Sequence, residues 1–104
     1  MQKIKYFDII KQILREDVMP EISRFYGIII SIFYDEHNPP HFHARYGEHR
    51  IAIGINSLQI MEGFLPPRAL GLVMEWASLH KEELLKDWKQ AEQNTQPDKI
   101  EPLK

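Results

Sequence analysis

The stretch YGIIISIFY, at residues 26–34, constrains the fold more strongly than any other part of the sequence. It is dense in β-branched and aromatic residues, which favour a β-strand over a helix. Successive side chains of a strand point to opposite faces. One face here carries Ile28, Ile30 and Ile32, and the other carries Ile29, Ser31 and Phe33. Because both faces are largely apolar, the pattern predicts a strand in the centre of a sheet.

Three shorter segments continue the strand pattern. His41–Tyr46 alternates between polar and apolar residues, which is typical of a half-buried strand. We expect a tight turn at Gly47 and Glu48, followed by a strand over residues 50–56. Residues 58–62 follow an Asn-Ser pair and predict a fourth strand. Short connections between successive strands favour an antiparallel meander.

The period of the pattern changes after Gly63. Pro66 or Pro67 suits the first turn of a helix, and apolar residues then recur at helical spacing through about residue 93. This predicts one long helix, with a kink near residues 78–80 as the alternative. Residues 4–17 also carry an apolar stripe, which predicts a helix that either covers an exposed face or docks to a second copy of the chain.

The sequence therefore predicts an α+β fold, in which an antiparallel β-meander of three to four strands packs against a long C-terminal helix on one face and an N-terminal accessory helix is added. We divide the chain into an N-terminal helical extension over 1–18, a single α+β domain over 19–94 and an extended C-terminal tail over 95–104. A length of 104 residues suits one domain with one core.

Composition excludes several functional classes. The chain has no cysteine, which excludes disulfides, thiolate zinc sites and a cysteine nucleophile. A net charge of −2 argues against a protein that coats nucleic acid by bulk charge, so any such contact is local. No apolar run approaches the roughly 18 residues of a membrane span, and the N-terminus lacks the features of a signal peptide. We therefore expect a cytoplasmic protein without membrane contact.

The segment DEHNPPHFHARYGEHR, at residues 35–50, contains four of the five histidines. On a strand, His41, His43 and Arg45 share one face, with the apolar set turned toward the core. Arg50 belongs to the next predicted strand, on the same face. Two imidazoles and two guanidinium groups beside small residues describe a shallow groove that accepts a ligand.

One interpretation of this segment is a metal site. His37, His41 and His43 are the predicted ligands, with Asp35 and Glu36 nearby as further oxygen donors. Neutral imidazoles suit zinc, and three protein ligands plus a water form the catalytic arrangement.

A second interpretation needs no cofactor. His41 and His43 then act as general base and acid on a phosphate ester, with Arg45 as a third catalytic residue. Arg50 contributes to phosphate binding, and Tyr34 and Tyr46 supply a stacking surface or a hydroxyl. A third interpretation is an interaction surface without chemistry. The residues alone do not decide between an enzyme and a binding module.

A resemblance to a known family covers residues 19–103. It is carried by three segments: MPEISRFYGIIISIFYDEHNPPHFHARYGE, LPPRALGLVMEWASLHKEELLKDW and KIEPL. They resemble the bacterial domain-of-unknown-function family numbered 4160. The resemblance implies a compact α+β domain and a gene beside that of a small partner protein, in an arrangement interpreted as a toxin–antitoxin pair. The leading expectation is thus a toxin–antitoxin-type component that has a small cognate protein partner and uses the histidine-rich hairpin to contact or cleave RNA. A zinc-binding enzyme or module is the alternative.

Overall fold

The structure, a computed structural model, describes residues 20–34 and 36–104. Five strands precede two helices in this part of the chain: β1 (Glu21–Phe25), β2 (Ile28–Ser31), β3 (His41–Tyr46), β4 (His49–Gly54), β5 (Ile60–Gly63), α1 (Pro67–Leu79) and α2 (Lys81–Glu92). The strands lie side by side in chain order, and every neighbouring pair is antiparallel. The α+β class and the antiparallel meander are therefore confirmed.

The prediction of three to four strands was wrong, since the sheet has five. The additional strand is β1, which pairs with β2 across a turn at Tyr26 and Gly27, both with positive φ. A bulge between Glu21 and Ser23 interrupts its register, and both Ile22 and Ser23 are buried. Because a bulge breaks the two-residue alternation, β1 lacks the pattern by which a strand is recognised in a sequence.

The prediction of a single long helix was also wrong. The alternative prediction, a kink near residues 78–80, was closer to the structure. The helix is interrupted at His80, whose φ of −125° lies outside the helical range. In an unbroken helix, Trp76 and Trp88 would lie about 120° apart around the axis. The break lets both side chains reach the core, where they are 0% and 3% exposed. The predicted N-terminal helix over 4–17 lies outside the described residues.

The core lies between one face of the sheet and the two helices. Trp76 is its largest fully buried side chain, with its ring 5.5 Å from that of Phe25 and 6.0 Å from that of Phe42. The strands contribute Ile28, Ile30, Ile51 and Ile53, Ile32 follows directly after β2, and the helices contribute Val73, Ala77, Leu84, Trp88 and Ala91. Neither helix in the described ranges is long and apolar enough to cross a bilayer.

The C-terminal tail closes one edge of this core. The backbone N–H of Ile100 donates to Ile22 O at 2.7 Å, and the Ser23 hydroxyl donates to Ile100 O at 2.9 Å. The indole N–H of Trp76 donates to Glu101 O at 2.8 Å. Ile100 is itself 4% exposed, so the tail fastens β1 to α1 and belongs to the packed domain.

A buried carboxyl on α2 also contacts the tail. Asp87 is 1% exposed; its Oδ1 accepts a hydrogen bond from Asp98 N at 3.1 Å, while its Oδ2 has no partner in the described structure. Burial raises the pKa of Asp87 from 3.8 to about 6. Gln90 Oε1, three residues along the same helix, is likewise buried without a partner. The fold therefore favours the protonated form of Asp87.

Asp87→Asn is expected to stabilise the protein at about pH 7.5 by on the order of 1–3 kcal/mol, with little effect at about pH 4. The folded-state pKa lies above the unfolded value, so the wild type loses stability as the pH rises from about 4 through about 6. Asparagine has no such titration. Denaturant melts across pH measure the difference. Glu92→Gln, at an exposed carboxyl of the same helix, is the control. An equal pH dependence in wild type and Asp87→Asn would contradict the expectation.

Candidate functional site

The face of the sheet opposite the helices forms a groove of about 810 Å³. All five strands contribute to its lining, and the antiparallel registers arrange the side chains in two neighbouring rows. One row is Arg24, Ile29, Arg45 and Arg50; the other is Glu21, Ser31, His43, Ala52 and Glu62. Charged and polar groups from strands distant in the sequence thus meet on one surface.

His43 lines one end of this groove, and His41, two residues earlier on β3, lies next to it but outside the groove lining. Their rings are 5.1 Å apart in an edge-on arrangement. The predicted apolar face of the strand is confirmed at Phe42 and Ala44, which are 0% and 2% exposed in the core. His41, however, is only 5% exposed, although we expected it to lie on the outer face. It is at the first position of the strand, where the indole of Trp88 packs 5.1 Å from its ring and removes it from solvent.

The His41 ring is held between two hydrogen-bond acceptors. Nδ1 is 2.8 Å from Pro39 O, and Nε2 is 2.9 Å from Glu36 Oε1. A carbonyl only accepts, so Nδ1 carries a proton and donates it to Pro39. A neutral imidazole then has only a lone pair on Nε2, which faces an ionised carboxylate unfavourably. The arrangement is satisfied when Nε2 also bears a proton or when a cation lies beside both groups.

His43 presents a nitrogen without a partner. Its ring stacks on Phe33 with centroids 4.0 Å apart and an interplanar angle of 10°. Nε2 is buried and makes no hydrogen bond in the described structure. Burial lowers the pKa of His43 below its ordinary value, and the nearby Glu36 carboxylate opposes that shift only in part. The neutral ring therefore offers a lone pair to an electrophile.

Glu36, His41 and His43 form a cluster in which the ligand atoms all lie within 4.8 Å of one another. The third member of the cluster is Glu36, which the sequence suggested only as a nearby oxygen donor. His37, the predicted third ligand, is exposed and lies outside the cluster. Two prolines connect the Glu36 loop to β3, and this short rigid connection is the sequence signal for the contact. Asp35 lies outside the described residues.

The other predicted site residues divide between the groove and its surroundings. Arg45 and Arg50 line the groove and lie directly opposite each other on β3 and β4. Tyr34 packs partly buried against the core, and Tyr46 is 40% exposed with its ring against Gly27. Neither tyrosine lines the groove, so this placement gives no support to a stacking role for them.

Comparison with protein families places the groove in a known domain. The model of the domain of unknown function DUF4160 matches residues 27–89, more than half of the chain. The chain belongs to this family. The matched segment contains all three residues of the cluster and two of the three groove arginines, Arg45 and Arg50, so the cluster lies within the family's domain. No significant match was found among curated proteins or solved structures.

The contacts of His41 predict its proton distribution in this family member. In the metal-free protein near neutral pH, long-range ¹⁵N NMR should show a proton on Nδ1, because Pro39 O accepts it. In Glu36→Gln, the new amide can donate to Nε2, so Nδ1 should keep its proton and Nε2 should accept the hydrogen bond. Glu48→Gln, at an exposed carboxyl in the β3–β4 turn, should leave the ring unchanged. A wild-type tautomer with its only proton on Nε2 would contradict the structure.

Proposed function

We propose that Glu36, His41 and His43 bind a divalent metal ion, zinc in the first place, and that the ion is the centre of a hydrolytic site opening into the groove. The observation that carries this proposal is the environment of His41, whose Nε2 faces a carboxylate while its Nδ1 donates to a carbonyl. A metal-binding histidine commonly donates its second nitrogen to a carbonyl in this way, which fixes the tautomer and the ring orientation.

Binding of zinc would require only small changes in the distances between the ligand atoms of the cluster. Tetrahedral zinc with bonds of about 2.0–2.2 Å holds its ligand atoms about 3.3 Å apart. The distance of 2.9 Å between His41 Nε2 and Glu36 Oε1 would increase slightly, and ligand atoms as far as 4.8 Å apart would move closer together. Two imidazoles and one carboxylate are a donor set that zinc and ferrous iron both accept. The orphaned Nε2 of His43 would gain its missing partner.

Glu36, His41 and His43 would hold the ion, and His43 lines the groove in which a substrate would bind. A zinc ion lowers the pKa of its water to about 7, which supplies hydroxide near neutral pH. The bound ion would thus supply the nucleophile for hydrolysis of an ester that lies in the groove. The net reaction adds one water across the ester bond. Polar side chains line the groove beside His43, and the groove provides space for a substrate.

The purified protein is expected to bind about one zinc ion per chain, measured by elemental analysis and by titration of the chelator-treated protein. Glu36→Gln and His43→Ala should each weaken binding at least about tenfold, because each removes a ligand or its charge. His37→Ala is the matched control and should bind zinc as the wild type does.

His41→Ala tests the third ligand, but the side chain is buried, so its stability must be measured alongside metal content. Glu36→Gln keeps the size of the side chain and provides the test that does not depend on folding. The proposal fails if no divalent ion binds to the wild type, or if His37→Ala loses the ion while Glu36→Gln retains it.

Cleavage of RNA without metal is the second candidate, and it is favoured by the position of Arg45 and Arg50 beside His43 in the groove. In this scheme His41 and His43 supply the base and acid. The protein would then be a toxin–antitoxin-type component acting in the cytoplasm with a small cognate partner. The support for that partner is the family resemblance of residues 19–103.

A chelator separates the two candidates on single-stranded RNA. If the metal centre acts, a chelator should abolish cleavage and added zinc should restore it. If histidines act alone, cleavage should survive the chelator and follow a bell-shaped pH profile. His43→Ala should lower the rate by about 10²-fold or more in either case, since it removes a ligand or a proton carrier. His49→Ala, in the same hairpin but outside the cluster, is the control. Unchanged cleavage by His43→Ala would contradict both candidates.

A further inference from the structure

Two arginines in the groove have no acidic partner in the part of the chain that the structure describes. Arg45 and Arg50 face each other directly across β3 and β4, and like charges in this position destabilise a sheet. Arg24, in the same row, differs from them because its guanidinium binds Glu21 at 3.0 and 2.8 Å. The described ion pairs include neither Arg45 nor Arg50. An anion bound between them would remove the repulsion.

We propose that Arg45 and Arg50 bind the phosphate of a nucleotide-type ester and hold it against the metal site. The inference rests on the proposed function and specifies its substrate. It adds a phosphate subsite of two guanidinium groups and an apolar surface for the base.

The sheet geometry places the two subsites within reach of one phosphate. His43 and Arg45 are separated by two positions on β3, which is about 6.6–6.8 Å along the strand. Ala52 lies opposite His43, two positions from Arg50 on β4. The methyl group of Ala52 is the smallest side chain in the row that contains His43. Ala52, 6% exposed, therefore forms the floor of the groove between the imidazole of His43 on one side and the arginine pair on the other.

The number of hydrogen-bond donors on the two arginines favours a phosphate over a carboxylate as the bound group. A guanidinium fork binds either anion in bidentate fashion. A carboxylate has only two oxygens, whereas a phosphate monoester has three free oxygens and can contact two arginines and a metal together. A tetrahedral phosphate thus uses all the groups that the groove presents.

An apolar surface adjoins the arginines. Ile29 lies opposite Arg45 on β2, in the same row, and Phe33 lines the groove beside His43. Both side chains are half-buried. An aromatic or aliphatic surface next to a phosphate subsite accommodates the planar base of a nucleotide, because every base has an apolar face that stacks.

Calorimetric titration of the zinc-loaded protein tests the inference with adenosine 5′-monophosphate, ribose 5-phosphate and adenosine. The monophosphate should bind most tightly, ribose 5-phosphate more weakly, and adenosine not measurably. Arg45→Ala and Arg50→Ala should each weaken monophosphate binding about tenfold or more, since each removes a charge-assisted contact. Arg68→Ala, at an exposed residue of α1, is the matched control and should change affinity by less than about twofold.

Two further variants separate charge from shape. Arg45→Lys keeps the charge without the fork and should retain part of the affinity. Ala52→Val keeps every ligand and charge but adds bulk at the floor of the groove beside the arginines, so it should weaken nucleotide binding more than zinc binding. Thermal melts of each variant establish that the fold is intact.

The outcomes distinguish this inference from the proposed function. If zinc binds but the monophosphate does not, or binds equally to Arg45→Ala and Arg50→Ala, the phosphate subsite is overturned while the metal site stands. Equal affinities for ribose 5-phosphate and the monophosphate overturn the base contact. If no metal binds, the proposed function fails, and arginine-dependent binding would then support the phosphate subsite while overturning its link to a metal.

Discussion

The register of β3 determines what lies on each side of the sheet. This strand pairs with β2 and β4, and its side chains alternate between Phe42 and Ala44 in the core and His43 and Arg45 in the groove. A shift by one residue would exchange the two sets. An imidazole and a guanidinium would then be buried among isoleucines without partners, at a cost of several kcal/mol. Phe42, fully buried against Trp76, opposes that shift, so the hydrophobic core fixes the composition of the groove.

Core and candidate site share side chains at one end of β3. Trp88 belongs to the core, yet its ring packs on His41, while Phe33 stacks on His43 from the neighbouring strand connection. Both imidazoles are thus oriented by aromatic contacts, and the His41 ring is also held by two hydrogen bonds. Side chains held in this way lose little freedom when a ligand binds, which favours a preorganised site. The interruption of the helix at His80 contributes indirectly, because it lets Trp88 face the sheet.

The distribution of charge in the groove differs from that of the whole chain. The net charge is −2, which argues against binding a polyanion by bulk attraction. On the groove surface, however, the arginine row presents Arg45 and Arg50 together, and the acidic residues Glu21 and Glu62 stand at the two ends of the next row. Because Arg24 pairs with Glu21, an anionic ligand would be attracted by Arg45 and Arg50 and repelled mainly at Glu62. Such a pattern favours a small, positioned ligand over a coating of nucleic acid.

The sequence by itself determined strands β2 to β5, the apolar face of β3 and the start of the first helix at its proline pair, because these depend on side-chain periodicity and on backbone restrictions of single residues. Tertiary structure decided which polar groups meet. Glu36, and not His37, lies beside His41 because of the path of the loop. The burial of His41 depends on Trp88, 47 positions further along the chain. The bulge in β1 and the break at His80 are local departures from periodicity that packing stabilises. Periodicity reports the face on which a residue lies, whereas the distance between residues far apart in sequence is set only when the core packs.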